Sequence, residues 1–222
     1  YGWMNEYLDG KDAVVELGCG MGLAREFIRN PKLRLTDANA YPWVDEAVDA
    51  GALPYADGSV DAFLCSHILH HLAQPLKFLA AAAGKLKPGG VILIQELELT
   101  PLLKILLRLR RIEGWDEGAD VFDPEARCMS EAGDPWSANC AIPRLLFSRP
   151  QELTRAVPAL ALERNELCEV MLFPVSGGVL AKSPTIPLPL WALKCVDFFD
   201  ACAVSLAGDW LALGRRAILR KR

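Results

Sequence analysis

Between residues 16 and 22 the chain reads Glu-Leu-Gly-Cys-Gly-Met-Gly, one carboxylate followed by glycines at every second position. Closely spaced glycines let a ligand approach the backbone, and amides at the start of a helix favour an anionic group such as a carboxylate. The dinucleotide spacing G-x-G-x-x-G is not met, because Leu23 and Arg25 occupy the third glycine position counted from Gly18 and Gly20. No phosphate-loop lysine follows, so a triphosphate is not expected. Glu16 would repel a pyrophosphate and attract a ligand cation. Asp37 follows Gly18 by 19 positions, about the spacing of the acid that takes ribose hydroxyls in nucleotide-binding sheets. An amino-acid carboxylate, a positive centre and a ribose in one ligand describe S-adenosylmethionine.

The elements that must position these residues alternate. Ala13 to Leu17 reads as a strand running into the glycine loop, and Leu23 to Arg29 as a helix with Leu23, Phe27 and Ile28 on one face. Lys32 to Thr36 is a second strand ending in Asp37, Glu46 to Asp49 a weak third, and Val60 to Ser66 a fourth. Pro75 to Leu86 is an alanine-rich helix stopped by Lys87-Pro88-Gly89-Gly90, and Val91 to Leu97 a fifth, buried strand. This alternation predicts an α/β fold with a doubly wound, mostly parallel sheet, whose ligands bind outside the carboxyl ends of the strands. Leu167 to Phe173 and Arg216 to Arg220 are expected to finish the sheet as an antiparallel pair.

Four stretches resemble the class I S-adenosylmethionine-dependent methyltransferases, of the group that includes quinone-biosynthesis C-methyltransferases. They are VVELGCGMG (Val14 to Gly22), LTDAN (Leu35 to Asn39), DAGALPYADGSVDAFLCSHILHHL (Asp49 to Leu72) and LKPGGVILIQE (Leu86 to Glu96), in the family's order and spacing. The resemblance implies a Rossmann-like sheet of seven strands with an antiparallel final strand. It also implies that Glu16 and the Gly18, Cys19, Gly20 and Gly22 backbone hold the methionine portion. Asp37 with Ala38 would take the ribose, Asp49 with Ala50 would face the adenine, and Ser66 with His67 would close the pocket. The cofactor implied is S-adenosylmethionine, with S-adenosylhomocysteine as product.

His67, His70 and His71 are the chain's three histidines. For His70 and His71 packing or capping at the start of a helix is expected, and no metal. In-line displacement from a sulfonium needs a base only when the acceptor must lose a proton, and alignment can supply most of the catalysis. His67 is the one candidate for acid–base work, while Glu96 and Glu98 read equally well as paired or solvated carboxylates.

A single methyltransferase domain over 1–222 is expected, with a cofactor half to about residue 100, an acceptor-side insertion over about 101–150, and sheet completion with an apolar region over 151–222. Within Asp116 to Arg149 the stretch DPWSANCAIPRLLF resembles, more loosely, bacterial methyltransferases with a related D-x-x-x-x-N-x-A-I-P pattern, some encoded among polysaccharide-biosynthesis functions. Asp134, Asn139 and Arg144 would be its polar members and Trp136 an aromatic wall toward the acceptor; an ordinary surface loop is the other reading. The acceptor expected is a small molecule or a lipid- or saccharide-linked one. A non-catalytic cofactor-binding regulator is the alternative, and a nicotinamide oxidoreductase a distant third.

Composition narrows the partners. Residues 1–100 carry 8 basic and 13 acidic residues and the remainder 16 and 15, which gives no basic stripe for a nucleic acid. Seven cysteines without a CxxC pair read as reduced thiols, consistent with a cytoplasmic setting. Mean hydropathy is +0.18, yet the longest run free of Lys, Arg, Asp and Glu is Ala62 to Leu76, short of the roughly 18 residues that a span needs. Nothing at the amino terminus reads as a signal peptide, and Tyr1 as first residue fits a trimmed or partial chain. A basic amphipathic stretch, 102–111, and an apolar, proline-broken one, 183–213, suggest peripheral membrane contact; core packing or a subunit interface is the preferred reading of the second.

Overall fold

A computed structural model describes residues 1–111, 113–129, 138–175 and 187–222. A 3-10 turn over Gly2–Tyr7 precedes β1 (Val14–Leu17), α1 (Ala24–Phe27), β2 (Leu33–Asp37), β3 (Glu46–Ala47) and β4 (Val60–Ser66). A second 3-10 turn, Leu69–His71, leads to α2 (Pro75–Lys85) and β5 (Leu86–Leu97). The second half contributes α3 (Pro101–Arg110), α4 (Ile142–Phe147), α5 (Pro150–Ala156), β6 (Leu160–Cys168), α6 (Leu172–Val175), α7 (Leu190–Leu211) and β7 (Gly214–Lys221).

The strands form one seven-stranded sheet in the order β3-β2-β1-β4-β5-β7-β6. All pairings among β1 to β5 are parallel, and β7 lies antiparallel between β5 and β6. A parallel sheet covered on both faces reads as continuous apolar sequence, and β1, wholly buried, and β4, nearly so, do. Val15, Leu17, Phe63, Cys65, Ile92 and Ile94 pack into one core cluster, and Val14, Ala62, Leu64, Val91 and Leu93 into another. The order of strands reverses at the β1/β4 boundary, which opens a crevice at their carboxyl ends.

Several boundaries differ from expectation. The third strand stops at Ala47 and leaves Asp49 in a turn, where its Oδ1 accepts the Gly51 amide at 2.8 Å. The Lys87-Pro88-Gly89-Gly90 run does not separate helix from strand; β5 already begins at Leu86, and its pairing with β4 shifts register between Val60 and Ala62. The strand expected over Leu167 to Phe173 lies earlier, at Leu160–Cys168, because β6 is an edge strand whose exposed Glu163 and Glu166 interrupt the apolar pattern. Leu172–Val175 instead form α6, and the amides leading into it, those of Val170, Met171 and Leu172, are taken by the buried Asp200 carboxylate at 2.8, 2.9 and 2.8 Å. Core packing does not account for α7. Only Asp200 and Gly208 are buried along it, while Trp191, Phe198, Phe199, Leu206 and Trp210 face outward.

The two halves are fastened at the end of β5. Glu98, with no solvent exposure, receives Arg215 Nε on Oε2 at 2.6 Å and Arg144 Nη1 on Oε1 at 2.8 Å, and Arg215 also reaches Asn165. Removing one member of such a pair leaves the other charge buried and uncompensated, at a cost of about 3 kcal/mol or more. Glu98→Ala is therefore expected to lower the thermal midpoint by roughly 6–12 °C for a chain of this size. Calorimetric melting checks this, and an unchanged midpoint would refute the fastening role.

Candidate functional site

The glycine loop is shaped by contacts that only glycine permits. Gly18, Gly20 and Gly22 all have positive φ, 65°, 52° and 74°. A Cβ on Gly18 would lie 2.5 Å from Ile68 Cγ2, so Gly18 lets the β4 end close onto the β1 end. Gly20 differs, since a Cβ there would meet nothing within 4 Å; its open side is available to a ligand rather than to protein. The loop is pinned by Cys19 N–H to Thr36 O at 2.9 Å and by Trp43 Nε1 to Gly20 O at 2.8 Å. Cys19 is a buried thiol whose pKa burial and Glu16 push up to about 11.

Asp37 stands beside this loop. Its Oδ2 accepts the Gly20 amide at 3.0 Å and its Oδ1 the Asn39 amide at 2.9 Å, which fixes the carboxylate while leaving each oxygen further acceptor capacity. Ala38 follows it directly. Glu16 lies on β1 with no exposure. Tyr1 Oη donates to its Oε1 at 2.6 Å, and its Oε2 has no partner. Burial pushes the Glu16 carboxyl up to about 7, against the pull of the tyrosine hydrogen bond. Glu16, the three glycines and Asp37 are thus brought together. Asp49 and Ala50 lie beyond β3, Asp49 exposed and in its turn.

Ser66 ends β4, and His67 follows with a left-handed backbone, φ 57°. The His67 amide donates to Gln95 O at 2.8 Å, and its buried Nδ1 has no partner. Burial pulls the His67 imidazole down to about 4, so it is neutral at physiological pH and a weak base in this form. Its neighbour is differently placed. His70, 1% exposed, bonds Glu96 Oε2 through Nδ1 at 2.6 Å, and Glu96 Oε1 also accepts the Leu69 amide. Burial alone would raise Glu96 and lower His70. Their mutual attraction and hydrogen bond win, holding the carboxyl below and the imidazole above its usual range.

Two residues expected to face an acceptor are used structurally. Asn139, buried, spends its side chain on the backbone: Oδ1 accepts from Asp116 and Ala141 N–H at 2.8 and 3.0 Å, and Nδ2 donates to Asp116 and Cys128 carbonyls at 3.1 and 2.8 Å. Arg144 is the partner of Glu98 described above. That pairing with two arginines also removes Glu98 from the possible bases, and Glu96 is committed to His70. Asp134 and Trp136 lie outside the described residues. Tyr1 and Trp43 were not anticipated; an aromatic residue carries no spacing signal that ties it to a distant loop.

The orphaned Glu16 oxygen, the open side of Gly20 and the acceptor capacity of Asp37 suit a ligand that combines a cation, a carboxylate and a diol, and so fit S-adenosylmethionine.

A family model described as a methyltransferase domain matches residues 15–94. A comparison with curated proteins gives no match. Among solved structures, an S-adenosylmethionine-dependent methyltransferase from Archaeoglobus fulgidus shares 16% identity over 98% of this chain and 89% of that one, with a TM-score of 0.55. One from Methanosarcina mazei shares 14% over 100% and 97%, with a TM-score of 0.51. The trans-methyltransferase CalH in complex with S-adenosylhomocysteine shares 14% over 99% of this chain and 55% of that one, with a TM-score of 0.52. The structures share the fold. With the domain match over residues 15–94, the chain carries a stretch similar to a methyltransferase domain within the fold that these S-adenosylmethionine-dependent methyltransferases share.

Proposed function

We propose that the enzyme moves the methyl group of S-adenosylmethionine by in-line displacement to a small-molecule or lipid- or saccharide-linked acceptor. The observation that carries the site assignment is Glu16, a buried carboxylate on β1 with one oxygen unpaired beside a glycine loop that is open at Gly20. The bound cofactor supplies a methyl group on a sulfonium, already a good leaving group. Glu16 faces its positive charge, the amides of the glycine loop take its carboxylate, and Asp37, fixed by Gly20 and Asn39, takes the ribose hydroxyls. Asp49 with Ala50 borders the adenine, and Ser66 with His67 closes the methionine side. Rigid placement of the donor against the acceptor then supplies most of the rate.

A second reading concerns where the acceptor is met. No helix among the described residues is long and apolar enough to cross a membrane. However, α7 presents Trp191, Phe198, Phe199, Leu206 and Trp210 to the outside and packs against α3, which exposes Ile105 and Leu109 beside Lys104 and Arg108. An apolar helix face next to basic residues supports peripheral contact with an anionic bilayer and a lipid-linked acceptor.

Asp37→Ala is expected to weaken S-adenosylhomocysteine binding tenfold or more by calorimetry; unchanged affinity would remove the ribose role. A ligand cation favours ionised Glu16, so cofactor binding should pull its pKa down from about 7 and release a proton. Affinity for S-adenosylmethionine should therefore rise between pH 6 and pH 8, and the rise should vanish in Glu16→Gln. A flat wild-type profile would refute this. The full chain should sediment with vesicles of phosphatidylcholine and phosphatidylglycerol, several-fold less so as the double variant Trp191→Ser with Phe198→Ser, whereas a wild-type chain left in the supernatant would exclude membrane contact.

A further inference from the structure

Outside the cofactor crevice, one cluster of metal-ligating side chains draws on two separate segments. His70 and His71 follow β4, and Glu113 comes from the loop after α3, more than 40 positions downstream. His70 Nε2 lies 3.7 Å from Glu113 Oε2 and His71 Nε2 4.0 Å from Glu113 Oε1, and the three donor atoms fall within 4.8 Å of one another. Donors bound to one tetrahedral ion at about 2.0–2.1 Å are about 3.4 Å apart, so a contraction of up to about 1.4 Å would seat an ion among them.

The surroundings favour an ion over a chance approach of side chains. The Glu96 bond to His70 Nδ1 at 2.6 Å orients the ring with Nε2 toward Glu113, and metal-ligating histidines ordinarily have such a carboxylate behind them. Glu96 is anchored in turn by the Leu69 and Leu97 amides. Cys140 Sγ donates to Glu113 Oε2 at 3.3 Å and steadies that carboxylate. Glu96 and Glu113 are both buried, 0% and 7% exposed at the side chain, and among the described residues neither is paired with a lysine or arginine. A divalent cation would offset both charges.

We propose that His70, His71 and Glu113 bind a divalent transition-metal ion of the zinc class, with Glu96 as the positioning residue behind His70. Two imidazoles and one carboxylate select against magnesium and calcium, which prefer oxygen donors, and match the donor set of open zinc centres. The site sits at the carboxyl ends of β4 and β5, where its fourth position is left for an acceptor oxygen; that last role rests on the transfer reaction proposed above, and the metal site itself does not.

The test uses the full chain with the exposed Cys195 and Cys202 changed to serine, so that surface thiols do not compete. After chelator treatment it is titrated with zinc chloride by calorimetry, with S-adenosylhomocysteine binding measured in parallel. One ion per chain is expected. His71→Ala and Glu113→Gln should each weaken zinc at least tenfold, and Glu96→Gln roughly 10–100-fold, while S-adenosylhomocysteine affinity in the His71 and Glu113 variants stays within about twofold of the parent. A parent chain that takes up no zinc, or variants that bind it as well as the parent, would overturn the proposal. Cobalt spectroscopy of the parent gives a second readout that needs no variant: the visible bands of a tetrahedral site are expected, and their absence also overturns it. Zinc uptake without S-adenosylhomocysteine binding by the parent would instead count against the cofactor site alone.

Discussion

Three carboxylates with no solvent exposure, Glu16, Glu96 and Glu98, lie on or just after the carboxyl ends of central strands. A buried charge needs a partner, and the three are answered differently. Glu98 has two arginines, and so ties the end of β5 to α4 and β7. Glu96 has an imidazole and backbone amides, and so fixes the turn that follows β4. Glu16 has one tyrosine hydroxyl and a bare oxygen, and its carboxyl is correspondingly hard to ionise. The incompletely answered carboxylate is the one on β1, beside which the sheet reverses its order. The first two build the frame, and the third leaves room for a ligand.

The parts that were legible in the sequence are those where function and backbone coincide within a few residues. Glu16 with the glycines shows both a strand end and a loop that must run at positive φ, and Asp37 ends the next strand at a spacing the sheet imposes. The second half was less legible because its polar residues act across long separations. Asn139 and Arg144 were recognised as polar members of a patterned stretch, yet their hydrogen bonds go to a loop backbone and to Glu98, partners that no local spacing reveals. The position of β6 was hidden by its place at the sheet edge, where charged residues replace the apolar alternation. Glu113 carried no signal at all, since its relation to His70 exists only once the loop after α3 has folded back.

The outward face of α7 shows the opposite limitation. Its residues are as apolar as a core segment, and sequence alone could not separate burial from exposure. What decides it is how little of the helix can approach the sheet. Gly208 fits against Leu167, where a Cβ would come within 3.1 Å of Leu167 Cδ1, and Ala207 departs from helical geometry immediately before it. Asp200 is turned inward to hold the start of α6. With those contacts made at one side, the aromatic residues at the other are left facing away.

The position of β7 between β5 and β6 has a consequence for synthesis. Among the described residues β6 pairs with no strand but β7, and 45 residues separate Cys168 from Gly214. At about 5–20 residues per second, a ribosome leaves β6 without a neighbour for roughly 2–9 s while the aromatic segment of α7 emerges. During that interval the nascent chain exposes both an unpaired strand edge and an apolar helix. Its yield in cells is thus expected to depend on chaperones more than the stability of the finished sheet would suggest.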